Sequence, residues 1–426
     1  MIKKILKNAT VRNASWLIMG RVAQMAISLV VGIMTARYLG PSDYGLIHYA
    51  TAYTSFFMSF CTLGLNSVLV KELIDHPNEE GGIIGSSLAL RATSSFLSAC
   101  AIVCLVSILD ADDPTAVFVT ALCSIGLVFH IFEVFNYWFQ AKLRSKVTAI
   151  VTLVAYAVVS GYKILLLIFE KSVEWFAFST ALDHLCVGIL LFICYKRSGG
   201  KSLTFSLAIC KRILKRSVCF ILPSVMISVY GYADKFMLKH FMSELEVGYY
   251  STATAICGMW CFVLTAVIDS VYPSIMEAHK TDKALFEKRN RQLYALIFYI
   301  SVTASLLICV FAKPIVRILY GNAYMQAVTP LRVVTWYTAF AYLGVARNAW
   351  IVSENKGKCL KYIYVAAAIC NVCLNLALIP LWGPSGAAIA TLVTQMMTTF
   401  VVPFFVRGLR RNTRLMLDAV LLRYIR

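Results

Sequence analysis

The sequence PSVMISVYGYADKFMLKHFMSELEVGYYSTATA, residues 223–255, decides the fold. It begins as an apolar helix long enough to cross a bilayer, yet its second half carries Asp234 and Lys235. A charge costs about 2.5 kcal/mol or more at the bilayer centre and less near its ends, so an unneeded pair is not expected here. One stripe of the helix collects small and polar residues, namely Ser224, Ser228, Gly231 and Lys235. We therefore predict that this helix lines a cavity rather than facing lipid.

The composition places the rest of the chain in a membrane as well. Hydrophobic residues make up 60% of the sequence and charged residues 14%, and the mean hydropathy is +0.74, whereas soluble domains are about 25% charged. Twelve apolar stretches of roughly 20 residues or more are each able to span the hydrocarbon layer as a helix. They lie near residues 14–38, 44–70, 83–109, 115–139, 147–169, 173–195, 213–238, 247–275, 292–312, 328–352, 361–382 and 386–407. They leave no room for a soluble catalytic domain, so we predict an all-α integral membrane protein that is not an enzyme.

Basic residues are unevenly distributed between the loops, and this predicts the orientation of the chain. They precede the first span and recur at 142–146 and 211–216, whereas the alternate loops at 110–114, 170–174 and 382–386 are acidic or short. By the positive-inside rule both termini are cytoplasmic, and the even number of spans agrees. The formal net charge of +19 then mostly reflects the basic cytoplasmic segments that set the orientation. We expect these segments to contact membrane lipids and to bind no nucleic acid.

The fourteen cysteines do not indicate a metal or redox site. Nearly all of them lie inside apolar stretches, where cysteine is a common small packing residue. Cys370 and Cys373 have redox spacing but lack the strand and helix context of a redox motif. We therefore predict no metal and no cofactor.

The two halves of the sequence resemble each other weakly but in order. Aligning Gly45 with Gly248 also matches Ala50-Thr51-Ala52 with Ala253-Thr254-Ala255. Because each half has an even number of spans, we predict two parallel-repeat six-helix bundles around a central cavity, which is a transporter's plan. The predicted segments are a bundle at 1–195, a cytoplasmic linker at 196–212, a second bundle at 213–407 and an amphipathic cytoplasmic tail at 408–426.

Four motifs carry a family resemblance that covers almost the whole chain. They are RYLGPSDYG (37–45), YADKFMLKHFMSELEVGYYSTA (232–253), LYGNAYMQAVTPLRV (319–333) and NVCLNLALIPLWGPSGAAIATL (371–392). In this order they resemble the polysaccharide transporter branch of the MOP superfamily, whose best-known members are Wzx-type O-antigen flippases. Multidrug MATE extruders and the lipid II flippase MurJ belong to the same superfamily, so the resemblance also implies a MATE/MurJ-like fold.

The resemblance implies a function and a location. The expected activity is translocation of undecaprenyl-diphosphate-linked oligosaccharide repeat units by alternating access across the bacterial inner membrane, for assembly of O antigen, lipopolysaccharide or capsule. The expected partners are this lipid-linked oligosaccharide, a glycan polymerase and a chain-length regulator. Two alternatives remain open. One is a MATE-type, ion-coupled extruder of drugs or small molecules, and the other is a membrane glycan polymerase, which usually needs a larger outer loop than 313–327.

Cationic and polar residues inside the spans are candidates for binding the diphosphate. Arg21 and Gln24 share one face of the first span, and Arg91 lies on a serine-rich stripe of the third. Together with Ser228 and Lys235 they would supply the charge and hydrogen-bond donors that a diphosphate needs to leave the headgroup region. The alternative for both arginines is that they snorkel to the cytoplasmic interface.

Carboxylates inside the spans are candidates for coupling or gating. Glu133 shares a stripe of the fourth span with His130 and Tyr137, Asp269 lies on the eighth span, and Asp234 precedes Lys235. Desolvation makes protonation of such groups accessible, so Glu133 and Asp269 are candidates for binding a coupling H⁺ or Na⁺, and structural hydrogen bonding is the alternative for both. Asp234 is a candidate for the cavity or its gating, and the alternative is that Asp234 and Lys235 form a mutually compensating pair.

Overall fold

The computed structural model describes residues 9–423, with side chains from residue 24 onward except that of residue 67. This range is almost entirely helical and contains no strand. The α-helices, in chain order, are α1 Ala9–Cys61, α2 Asn66–Asp75, α3 Glu80–Leu109, α4 Pro114–Phe129, α5 Val134–Ala141, α6 Ser145–Ile168, α7 Val173–Arg197, α8 Leu207–Phe241, α9 Glu244–Thr281, α10 Lys283–Val310, α11 Ala312–Leu319, α12 Val328–Val334, α13 Tyr337–Ser353, α14 Leu360–Met396, α15 Val402–Phe405 and α16 Arg410–Val420. Short 3₁₀ turns occupy Pro77–Glu79, His130–Glu133, Asn322–Ala327 and Gly357–Cys359, and a π-helix occupies Met397–Val401.

Nine helical segments of the described chain are long and apolar enough to cross a membrane. Two of them, Gln24–Cys61 and Gly357–Phe405, each contain a break at a Gly-Pro pair, where Gly40 (φ 75°) and Gly383 (φ 52°) take left-handed backbone angles. Proline cannot donate the next helical hydrogen bond, and glycine alone adopts a positive φ without strain. Each long segment therefore contains two of the predicted spans. The 17-residue helix α13 corresponds to the tenth predicted span and brings the spans to twelve.

The second predicted span, 44–70, is interrupted before its end. The chain turns after Cys61, with Leu63 and Gly64 at positive φ, and resumes as α2. A Cβ atom on Gly64 would lie 2.7 Å from the backbone oxygen of Ser217 in α8, so only glycine permits this approach. The turn brings the side-chain oxygen of Asn66 to Arg91, and this contact is part of the site described below.

Contacts divide the chain into two compact modules. Of the described residues, the first module comprises those up to Leu39 together with Leu46–Ser228, and the second comprises Gly40–Gly45 and those from Val229 onward.

The first module packs α4 against α3 and α7, and α6 against α7. One of its core clusters is built mainly from α2, α5 and α7 and includes Leu69, Phe135, Trp138 and Tyr195. The predicted linker continues this packing, because Thr204 donates its backbone N–H to the Gly81 carbonyl at 3.2 Å. Side chains at Gly81 or Gly85 of α3 would overlap the linker backbone. The linker segment near Thr204 is therefore held against α3.

The second module is organised around α9, α10 and α13, whose core includes Leu264, Leu293, Tyr294 and Trp350. The tail helix α16 belongs to it as well. Its apolar residues pack against α10, and Met416 is fully buried. Three arginines lie on its exposed face, namely Arg410, Arg411 and Arg414.

The two glycines matched by the sequence repeat lie in direct contact within the second module. A Cβ atom on Gly45 would overlap the backbone of Glu244 and Gly248, and one on Gly248 would overlap the backbone of Pro41. The turn after the first span and the beginning of α9 thus meet backbone to backbone. This close approach gives a physical reason for both glycines.

Candidate functional site

The first module contains a buried ion pair around Arg91. Its side chain is 1% exposed, and its Nη1 lies 3.3 Å from Oε2 of Glu133. Nη2 donates to Oδ1 of Asn66 at 2.5 Å, and the guanidinium lies 5.5 Å from the ring centre of Tyr137. Arg91 and Glu133, which the sequence nominated for different roles, therefore form one charge-compensated group.

A 3₁₀ turn places Glu133 in this group. Residues His130–Glu133 interrupt the fourth predicted span between α4 and α5. In this turn Nε2 of His130 lies 3.1 Å from Oε2 of Glu133, the oxygen that also faces Arg91. The His130 ring meets the His184 ring edge to face, with ring centres 5.2 Å apart. The predicted grouping of Glu133 with His130 and Tyr137 is thus seen in space.

A polar cavity of about 630 Å³ adjoins this turn. Gln24 of α1 lines it, together with Glu133, Asp183 and His184. A second cavity of about 240 Å³ shares Asp183 and His184 and adds Lys163. The Asp183–His184 pair therefore lies in the wall of both cavities.

The second module holds the acidic residue of the central motif. Asp234 is 5% exposed, and its Oδ1 accepts the backbone N–H of Lys235 at 2.8 Å. The Tyr250 hydroxyl contacts the Asp234 carboxylate and lies 3.1 Å from Oγ1 of Thr391. Asp234 thus connects α8 to α9 and to the second half of α14.

The other predicted site residues differ in how deeply they are buried. Lys235 is half-buried, and the carboxylate of the adjacent Asp234 acts on its charge, although no close ion pair joins the two among the described residues. Ser228 is buried on the same helix, whereas Asp269 on α9 is exposed. The side chain of Arg21 lies outside the described residues, so its predicted role stays a prediction.

The sequence analysis missed several of these partners. The alignment of Gly45 with Gly248 also places Asn66 opposite Asp269, which is a signal, but the contact of Asn66 with Arg91 depends on the turn at Gly64. Tyr250 and Thr391 gave no signal beyond lying in recognised motifs. Within residues 9–423, no group of three or more His, Cys, Asp and Glu side chains is arranged to hold a metal ion.

Comparison with known proteins identifies relatives over most of the chain. The family described as "Polysaccharide biosynthesis protein" matches residues 33–329. The chain is 21% identical to a putative O-antigen transporter of Escherichia coli (strain K12), over 93% of this chain and 96% of that protein.

Solved structures share the fold at low sequence identity. The lipid II flippase MurJ in an inward closed conformation superposes with a TM-score of 0.72 at 12% identity, covering 97% of this chain and 92% of that one. An inward-facing multidrug resistance MATE transporter of the MOP superfamily superposes with a TM-score of 0.68 at 16% identity, covering 92% and 95%. The predicted all-α, twelve-helix membrane fold of the MATE/MurJ type is confirmed.

Proposed function

Since the chain belongs to the polysaccharide biosynthesis protein family, we propose that it is a flippase for lipid-linked oligosaccharides. It moves undecaprenyl-diphosphate-linked repeat units across the bacterial inner membrane by alternating access, for assembly of O antigen or capsule. The observation that carries this proposal is the family match, supported by full-length similarity to a protein named as an O-antigen transporter. Transport needs no chemical step, and we assign none to the chain.

Lys235 is our candidate for binding the diphosphate. It is half-buried in a membrane-length helix and forms no ion pair within the described residues. A lysine so placed gains most from a ligand that brings negative charge. Gln24, Ser228 and Arg21 stay predicted hydrogen-bond donors to the substrate.

Arg91 enters the proposed mechanism through Glu133. While Glu133 is ionised, it balances the Arg91 guanidinium at 3.3 Å, and Asn66 holds the other end of the guanidinium. Protonation of Glu133 would remove the charge that balances Arg91. Uptake of a proton is therefore linked to release of the Arg91 guanidinium from this ion pair. The groups that face Glu133, besides Arg91, include His130 and Tyr137. We propose H⁺ as the coupling ion at this group, with Asp234 and Asp269 as the other candidates for coupling or gating.

The proposal includes a location and partners. The chain is a multi-pass membrane protein, and we propose the inner membrane with both termini in the cytoplasm, where basic loops and headgroups meet. A fluorescent protein that matures only in the cytoplasm, fused after residue 426, should be bright in cells. A dark but full-length fusion would contradict this orientation. The glycan polymerase and chain-length regulator remain proposed partners.

Deletion of the chromosomal copy tests the function in cells. A flippase deletion should abolish surface glycan and cause undecaprenyl-diphosphate-linked repeat units to accumulate on the cytoplasmic side, and a plasmid copy should reverse both effects. Normal surface glycan in the deletion strain, with no other flippase gene present, would contradict the proposal.

A multidrug extruder is the second candidate, because the MATE structure shares the fold. A deletion strain that becomes sensitive to cationic drugs while keeping its surface glycan would favour the extruder. Unchanged drug sensitivity together with lost glycan would favour the flippase.

A further inference from the structure

Arg347 is a second buried arginine, and its environment differs from that of Arg91. It lies on α13 and is 4% exposed. Nη1 donates to the backbone carbonyl of Thr398 at 3.1 Å, while Nε is buried without any hydrogen-bond partner. No carboxylate of the described residues forms an ion pair with it. Within the described residues, its charge is therefore left without a balancing carboxylate.

An unbalanced charge is unusual at such a position. Charged side chains in membrane-spanning helices normally pair with one another or with backbone carbonyls, because the hydrocarbon layer solvates ions poorly. Arg91 follows this rule through Glu133. For Arg347 the single carbonyl contact leaves most of the guanidinium donors available. The site therefore has a cation but no described anion beside it.

A cavity of about 120 Å³ adjoins the Arg347 guanidinium. Its wall includes the hydroxyl-bearing residues Tyr230 and Tyr364 and the amide residues Asn348 and Gln395. Each of these can donate a hydrogen bond to an oxyanion. The cavity therefore combines one cation with several neutral donors and has room for a small group.

A local distortion of the backbone shapes the same cavity. The π-helix Met397–Val401 interrupts the helical ladder beside Arg347 and supplies the Thr398 carbonyl. It is fixed in place by the Thr399 hydroxyl, which donates to the carbonyl of Phe340 at 2.9 Å. Such π-bulges are rare and often occur at functional sites.

We propose that Arg347, with Tyr230, Asn348, Tyr364 and Gln395, forms a binding site for a phosphoryl group. Guanidinium groups bind phosphate oxygens through paired, charge-assisted hydrogen bonds, which suits the free Nε and Nη atoms. The phosphoryl group comes either from a soluble phosphate compound or from the headgroup of a membrane lipid. The proposal concerns binding alone and does not depend on the assignment as a flippase.

Thermal unfolding of the purified full-length protein tests this site. In detergent, inorganic phosphate or pyrophosphate is titrated at constant pH and ionic strength, with chloride as the balancing anion. In a second arm, phosphatidylglycerol is added to the micelles and compared with diacylglycerol, which lacks phosphate. A saturable rise in Tm is expected in at least one arm, and the arm that responds identifies the source.

Two variants separate the site from general anion effects. Arg347→Gln should raise the half-saturating concentration at least about tenfold, as expected for the loss of a charge-assisted contact. Arg407→Gln, which removes an exposed arginine, should titrate like the wild type. If Arg347→Gln does not fold, Tyr364→Phe and Asn348→Ala should each weaken binding several-fold.

The proposal is overturned if neither arm raises the Tm of the wild type, or if chloride alone gives the same rise as phosphate. It is also overturned if the Arg347→Gln protein titrates like the wild type. Where that variant does not fold, unchanged titrations of both Tyr364→Phe and Asn348→Ala overturn it.

Discussion

At the scale of single residues, Lys235 carries the first prediction. Lys235→Ala removes a half-buried cation on which Asp234 acts electrostatically without a close ion pair, so its cost should fall mainly on binding rather than on folding. Loss of one charge-assisted contact of about 1.5–3 kcal/mol corresponds to a roughly tenfold to hundredfold drop in diphosphate binding. Surface glycan, measured in the complemented deletion strain, should fall by at least about tenfold.

The control for Lys235 is Lys313→Ala, which removes an exposed lysine. It should leave surface glycan at the wild-type level, and both variants should reach the wild-type amount of protein in the membrane. Full surface glycan with Lys235→Ala would remove this residue from the mechanism.

Glu72 carries the second prediction, which concerns stability. It is fully buried on α2 and forms ion pairs with Arg212 and Arg216 near the start of α8. Removing its charge leaves both arginines without their buried partner, but they are partly exposed and can turn toward solvent or headgroups. We therefore expect Glu72→Gln to lower the free energy of unfolding by about 1–3 kcal/mol, visible as a lower Tm in detergent.

Glu79→Gln provides the comparison, because exposed Glu79 also pairs with Arg212. Its Tm should stay close to that of the wild type, since exposed ion pairs contribute little. Equal losses of stability in the two variants would show that burial of Glu72 is not what matters.

The residue scale is also where sequence reasoning reached its limit. Polar residues on helical stripes could be found, and the grouping of His130, Glu133 and Tyr137 follows from spacing alone. The pairing of Arg91 with Glu133 could not be predicted, because the two residues lie 42 positions apart on different helices. Nor could the sequence distinguish balanced Arg91 from unbalanced Arg347, since only tertiary contacts decide which cation meets a carboxylate.

At the scale of helices and turns, the close contact between Gly45 and Gly248 predicts that a larger residue at Gly248 will disturb the packing. Gly248→Ala adds a Cβ atom that would overlap the backbone of Pro41. Backbone cannot move aside as a flexible side chain can, so the free energy of unfolding should fall by about 1–3 kcal/mol. The measurement is Tm of the purified protein.

Gly258→Ala, on the same helix α9, is the matched control. A Cβ atom there meets nothing within 4 Å. Alanine favours a helix over glycine by up to about 1 kcal/mol, so this variant should be as stable as the wild type or slightly more stable. A stable Gly248→Ala protein would mean that the close approach is not required.

Helices were more predictable than their interruptions. Apolar runs identified the membrane-length helices, and the Gly-Pro pairs at Gly40 and Gly383 marked two breaks. The turn at Gly64 and the 3₁₀ turn at His130–Glu133 lie inside apolar runs without proline. Each depends on packing, at Gly64 on the approach of α8, and single-sequence periodicity does not contain that information.

At the scale of the whole molecule, composition and loop charge were enough to predict a helical membrane protein. The repeat and four ordered motifs were enough to predict the superfamily. Substrate chemistry is less accessible. It depends on a few polar contacts whose positions in space follow from tertiary structure.

Transport in a purified system tests the central claim most directly. The protein is reconstituted into liposomes with labelled undecaprenyl-diphosphate-linked oligosaccharide, and an impermeant glycosidase reports the fraction of glycan in the outer leaflet over time. The account predicts rapid redistribution with the wild type, slowed at least about tenfold by Lys235→Ala. Redistribution no faster than in protein-free liposomes would contradict it.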